Sequence, residues 1–196
     1  MTHSQLGQIE QFAKKFHSDD PQHDWEHIIR VRVNALELAK HYPETNLEIL
    51  QAACFLHDIG RSVKDEGHPE ESIKLASPHL QEIGLTNDEI EAINHAIHCH
   101  DVKKIHEANS IEAKLLFDAD KLEILSVFGF LRVVVFLMEE RHMKISEAVN
   151  FLWGFSLNVY EKLLNTEEAR MLIAQDMDLL RAMVEKYNSW DQRIKH

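Results

Sequence analysis

Four residues stand where ionisable side chains are costly to keep. His27 continues the apolar row Val31, Ala35 and Leu38; His57 completes the row Leu50 and Cys54, with Asp58 just beyond; Asp120 falls among Leu116, Ile124 and Val127. Residues three or four apart share a helix face, so three separate segments would each point a histidine or a carboxylate inward. A buried, unpaired carboxylate costs several kcal/mol unless it is paired, protonated or given to a metal. Each residue also has a bland account. His27 could be a hydrogen-bonded core histidine, His57 and Asp58 a capped helix end, and Asp120 the partner of Arg30 or Lys121. Together those accounts need three unrelated accommodations of buried polarity, whereas one shared cation answers all of them. Two imidazole nitrogens and two carboxylate oxygens form a borderline donor set that suits Mn²⁺, Fe²⁺, Co²⁺, Ni²⁺ or Zn²⁺ better than Ca²⁺, with Mg²⁺ also a candidate. On an octahedral ion such a set leaves room for water and substrate, and the ion would acidify that water and neutralise charge on a phosphoryl group.

The elements that must hold these residues are helices. Helical periodicity recurs in every segment, and no alternation of apolar and polar residues lasts for the length of a strand, so the chain is predicted to be all-α. From Leu85 onward only Gly129 and Gly154 interrupt runs of good helix formers. Caps and breakers place helices near Ser4 to His17, Asp24 to His41, Asn46 to Ile59, Pro69 to Ile83, Thr86 to His100, Ser110 to Glu140, Ile145 to Leu164 and Thr166 to Asn188. Asp24 is expected to cap the second helix and Asn87 the fifth; Pro69 suits a first helical position, and Gly60 is expected to close the third helix in the left-handed conformation. There is no repeat, low-complexity tract or linker. The expected organisation is therefore one domain over 1–196, with a core about 16–129 and further C-terminal helices about 130–190.

These residues resemble the HD superfamily of metal-dependent phosphohydrolases, in which an adjacent His-Asp pair is flanked by an upstream His and a downstream Asp. The matching segments are His23-Asp24-Trp25-Glu26-His27, then His57-Asp58-Ile59-Gly60-Arg61, then Asp118-Ala119-Asp120-Lys121-Leu122, within a region from Phe16 to Gly129. The resemblance implies a bundle of about five core helices and assigns His27, His57, Asp58 and Asp120 as metal ligands. The chain is also similar to small bacterial HD hydrolases that carry a His-x-x-x-Ser and an Ile-x-x-His segment, here His68 to Ser72 and Ile97 to His100. In that family such histidines face the site, contacting phosphate or, in binuclear members, a second metal. Phosphate contact is the expectation here for His68 and His100. The chain departs from the nucleotidase and guanosine tetraphosphate hydrolase branches, where an acidic residue soon after the His-Asp pair helps to activate water. Arg61 and Lys64 stand there instead, and such cations would hold substrate phosphates. Glu70 and Glu71 are candidate bases.

The expected function is thus hydrolysis of a phosphate ester or anhydride in a nucleotide or small phosphorylated metabolite, with Asp58 binding the metal and orienting water. Nucleoside triphosphate pyrophosphohydrolase is the subclass the resemblance favours. Two other readings stay open: a non-catalytic, metal-containing helical sensor, and a di-iron redox enzyme drawing extra ligands from His68, His95, His98 or His100. A formal charge of −12, from 33 acidic and 21 basic residues, argues against a nucleic-acid polymer as partner. The apolar stretch Ile124 to Met138 is too short for a bilayer and contains Arg132, so it reads as a core helix or a homodimer contact rather than a membrane span. Two cysteines outside any Cys-x-x-Cys pair and a polar N-terminus suggest a cytoplasmic protein.

Overall fold

The computed structural model describes residues 1–17 and 24–194, and every regular element among them is helical. His23 and His196 lie outside the described residues. The chain divides into two compact units, Met1–Asp120 and Lys121–His196.

The first unit contains α1 (His3–Ala13), α2 (Trp25–Ala39), α3 (Leu47–Leu56), α4 (His68–Glu82), α5 (Asn87–Cys99) and most of α6 (Ile111–Leu125). Its centre is α3, which buries Ile49, Leu50 and every residue from Ala52 to Leu56. A helix that is apolar nearly all round has to be enclosed, and α1, α2, α4 and α5 pack around it. Side-chain caps set the helix starts. Asp24 accepts the His27 backbone N–H at 2.7 Å, so the cap of α2 also fixes the turn from which His27 projects. The cap of α5 is Thr86, in a reciprocal box with Glu89, and not Asn87 as expected: the threonine hydroxyl reaches the third helical N–H while the Glu89 carboxylate reaches back.

Between α3 and α4 the chain makes a tight 3₁₀ turn, Ile59–Ser62. The expected left-handed glycine at the end of α3 is overturned, because only Gly67 and Gly84 among the described glycines have positive φ. Gly60 is required for a different reason. The α4 backbone comes so close that a Cβ on Gly60 would lie 2.2 Å from the His68 carbonyl oxygen and 2.5 Å from the Ser72 nitrogen.

The second unit contains α7 (Val127–Glu139), α8 (Ile145–Asn158), which runs into a π-helical turn (Val159–Leu163), and α9 (Glu167–Ile194). The single helix expected from Ser110 to Glu140 is broken at Ser126. That residue is extended, its hydroxyl accepts the Gly129 N–H at 3.0 Å, and Gly129 approaches the Glu123 carbonyl so closely that a Cβ would sit 1.8 Å from the oxygen. The hydrophobic pattern runs through the break because α6 and α7 are both apolar. Phe130, Val133, Leu152, Val159, Ile173, Met177 and Leu180 are buried in this unit. Among the described residues no helix is long and apolar enough to cross a membrane.

Candidate metal centre

His27 sits in the first turn of α2, His57 caps the C-terminus of α3, Asp58 begins the turn that follows, and Asp120 projects from α6. All four are buried and their polar atoms converge. His27 Nε2 lies 3.4 Å from Asp120 Oδ1 and 3.9 Å from Asp58 Oδ2; His57 Nε2 lies 3.7 Å from Asp58 Oδ2 and 3.9 Å from Asp120 Oδ1. The four residues predicted as metal ligands are therefore brought to one point.

His68 and His100 join them on the other side of the same carboxylate. Asp58 Oδ1 is 3.1 Å from His68 Nε2 and 3.4 Å from His100 Nε2, and the two imidazole nitrogens are 3.0 Å apart. Asp58 thus faces two groups, His27 and His57 with one oxygen and His68 and His100 with the other, each compact enough to hold an ion. Two ligand atoms about 2.1 Å from one ion lie about 3.0 Å apart in cis on an octahedron and about 3.4 Å apart on a tetrahedron. The second group matches those separations.

Three of these histidines are held in one way. The Nδ1–H of His57 donates to the Cys54 carbonyl at 2.9 Å, that of His68 to Asp65 at 2.8 Å, and that of His100 to Ile97 at 2.5 Å, each three residues upstream. A neutral imidazole has one ring proton, so this assignment leaves a lone pair on each Nε2. The result is electron-rich: at His68 and His100 two lone pairs face each other and a carboxylate oxygen, and His57 Nε2, fully buried, has no hydrogen-bond partner. Acceptors that face acceptors need a cation between them. The donor set therefore fits a divalent metal ion.

The electrostatics agree. Burial lowers the His57 pKa to about 3, against the opposing pull of Asp58, and keeps the ring neutral and able to ligate. Burial pushes the Asp58 carboxyl up, but the Arg61 guanidinium beside it leads the effects that outweigh burial and hold the group well below the usual carboxylate range.

Of the cations predicted to bind phosphate, Arg61 reaches the centre and Lys64 turns elsewhere. Arg61 Nε is 2.9 Å from Asp58 Oδ2, with Nη1 3.8 Å from Asp65. Lys64 is half exposed and pairs with Glu71 at 2.9 Å. Glu71 also meets Lys74 at 2.8 Å, and hydrogen bonds from Lys74 and Lys64 lower its pKa, which suits a fixed anion better than a base. Glu70 lies 3.6 Å from His98. An open groove of about 770 Å³ along α1 and α4, lined by Gln8, Phe12 and His79 among others, contains none of these residues.

The sequence reading assigned no role to Ser72, although it is buried and central. Its hydroxyl donates to the His57 carbonyl at 2.7 Å and accepts the Gly60 N–H at 2.8 Å, pinning the His57–Gly60 turn to α4. The His-x-x-x-Ser spacing was the available signal; the partner atoms lie on another segment and leave no trace in the local pattern.

An HD-domain family model matches residues 24–125, just over half of the chain, a span that includes all six converging residues. A search among curated proteins finds no match. Among solved structures, a Lactobacillus plantarum protein is similar with a TM-score of 0.81 at 22% identity, covering 98% of this chain and 99% of its own. Bacillus subtilis YpgQ, solved in complex with ADP, gives a TM-score of 0.75 at 23% identity over 95% of this chain and 94% of its own. A predicted HD superfamily hydrolase from an uncultured Thermotogales bacterium gives 0.66 at 23% identity over 94% and 91%. At such identities these likenesses establish a common fold. With the family match over the segment that carries the His-Asp pair, the chain belongs to the HD-domain family.

Proposed function

We propose that this protein is a metal-dependent hydrolase that cleaves a phosphate ester or anhydride, with a nucleotide or small phosphorylated metabolite as substrate. The observation that carries the reading is the buried set of inward lone pairs around Asp58, with a guanidinium at its edge. An ion held by His27, His57, Asp58 and Asp120 would supply Lewis acidity, acidifying water and neutralising charge on phosphoryl oxygens. Mn²⁺, Fe²⁺, Co²⁺, Ni²⁺, Zn²⁺ and Mg²⁺ are the candidates.

The chain's own residues position and neutralise. Asp58 accepts a hydrogen bond from the attacking water and orients it toward phosphorus. Arg61 holds Nε 2.9 Å from Asp58 as an ion pair and has N–H groups for a phosphate oxygen, since a guanidinium carries five donors in a fixed fork. Lys64 can swing from Glu71 to the distal phosphates of a longer substrate. His68 and His100 bind phosphate in this scheme. Catalysis is then mainly orientation and charge stabilisation. The ADP complex of YpgQ, a protein of the same fold, supports a nucleotide, and pyrophosphate release from a nucleoside triphosphate is the subclass we favour.

A second reading of His68 and His100 rests on their facing lone pairs, 3.0 Å apart and within 3.4 Å of Asp58 Oδ1: they could ligate a second ion instead of the phosphate itself. The test of the overall proposal is phosphate and pyrophosphate release from a panel of nucleotides and phosphorylated metabolites with added Mn²⁺. Wild type should turn over at least one of them, and Asp58→Ala should be at least about 10³-fold slower. Equal activity in the two proteins, or no release by wild type while it holds metal, would sink the reading.

A further inference from the structure

The two ligand groups differ in charge although they share a carboxylate. His27 and His57 face both Asp58 and Asp120, whereas His68 and His100 face Asp58 alone. The second group adds no anion of its own. Arg61 adds a cation, and places it on Asp58, the one residue common to both groups, with Nε 2.9 Å from Oδ2. Asp58 is buried and the Arg61 side chain a quarter exposed, so solvent screens that contact only in part.

The charge balance decides what such a shell can hold. Among the groups at the ligand cluster itself, the carboxylates of Asp58 and Asp120 and the Arg61 guanidinium sum to one net negative charge; Asp65, 3.8 Å from Arg61 Nη1, is more than half exposed and screened by water. One divalent ion converts that to one net positive charge, which a buried site with open coordination positions tolerates. A second ion, held by neutral imidazoles and an already shared carboxylate, raises it to three. Charge of that size in a buried shell has to be met by an incoming anion. Each carboxylate oxygen has two lone-pair positions, so Arg61 can stay on Oδ2 beside the first ion; its effect on a second is electrostatic, not steric.

We propose that Arg61 sets the metal stoichiometry of this centre: without an anionic ligand the protein holds one divalent ion, at His27, His57, Asp58 and Asp120, and the group Asp58, His68 and His100 fills only together with a phosphate-type anion. The inference rests on the metal centre and on the second reading of His68 and His100 above, and adds an order of loading to it. Arg61 acts here as a specificity residue for ion number, through the carboxylate it holds. It also makes the anion a condition of the second ion, so that the metal pair is assembled by the substrate's own charge.

The test counts ions without measuring turnover. Purified wild type, Arg61→Gln and Arg61→Lys are stripped and equilibrated with Mn²⁺, with and without inorganic phosphate. Bound metal per chain is then measured by elemental analysis, and paired ions by their spin-coupled paramagnetic resonance signal. Wild type and Arg61→Lys should hold one ion alone and two with phosphate. Arg61→Gln should take the second without phosphate, its affinity for that ion raised about ten-fold or more. Two ions in wild type without phosphate, or one ion in every protein under both conditions, would overturn the proposal while leaving a metal centre in place. No bound ion in wild type would overturn the centre itself and the proposal with it. The wild-type comparison with and without phosphate decides the order of loading even if Arg61→Gln fails to fold, and Arg61→Met then tests the part of Arg61: a second ion taken only with phosphate in the charge-neutral variant would overturn it.

Discussion

The two compact units treat buried polarity in opposite ways. Around the break between α6 and α7 in Lys121–His196 the polar groups are matched locally: Glu123 pairs with the Arg132 guanidinium, Asp176 accepts the Val127 N–H at 2.8 Å, and Ser126 both accepts from Gly129 and donates to the Glu123 carbonyl. Acceptors there meet donors, and the outcome is a bend held in place. In Met1–Asp120 the nitrogens of His68 and His100 and the Asp58 carboxylate are acceptors facing acceptors, with the Arg61 guanidinium against Asp58 at the edge. A polar cluster that satisfies itself serves the fold. One that does not is built around something still to be bound.

That contrast predicts opposite outcomes for removing a buried carboxylate from each unit. Asp120→Ala should lower the affinity for the first metal ion more than about 100-fold and abolish turnover, while the metal-free protein unfolds at or above the wild-type temperature, because a like charge has been taken from the cluster. Glu123→Ala should do the reverse, leaving metal content unchanged and costing about 3–5 kcal/mol in chemical denaturation, since Arg132 is left buried without its carboxylate. If both substitutions destabilise alike, the two clusters are of one kind and the distinction fails.

Ser72→Ala sharpens the comparison within the first unit, because Ser72 is a self-satisfied group supporting an unsatisfied one. Its loss leaves the Gly60 N–H and the His57 carbonyl unpaired, a destabilisation of about 2 kcal/mol. By loosening the His57–Asp58 turn it should also weaken metal binding about ten-fold, measured by competition with a chelator. The smallest effect is expected for Lys64→Ala. Its partner Glu71 is outside the ligand cluster, so metal content should be unchanged and KM for the identified substrate should rise a few-fold, about what one flexible surface cation contributes. A large fall in kcat would instead place Lys64 among the groups that act on the reacting phosphate.

What could be read in the sequence was whatever depends on local periodicity. The all-helical class, the start of α2 under Asp24 and the inward direction of His27, His57, Asp58 and Asp120 follow from which residues share a helix face, and the face is set by the 3.6-residue repeat alone. His68 and His100 were placed at the site by resemblance, not by periodicity. Close approach and atom-level polarity were decided by the tertiary structure. Gly60 looked like a helix-ending residue, yet it is glycine because α4 passes within Cβ range; the sequence pattern ran on through Ser126, where the Glu123 carbonyl and Gly129 turn the chain. Likewise, a row of apolar residues cannot tell which imidazole nitrogen carries the proton, that one carboxylate serves two groups of histidines, or that Arg61 reaches that carboxylate while Lys64 is held by Glu71. Those outcomes depend on distances of a few tenths of an ångström between segments far apart in the chain, and only the packed structure sets them.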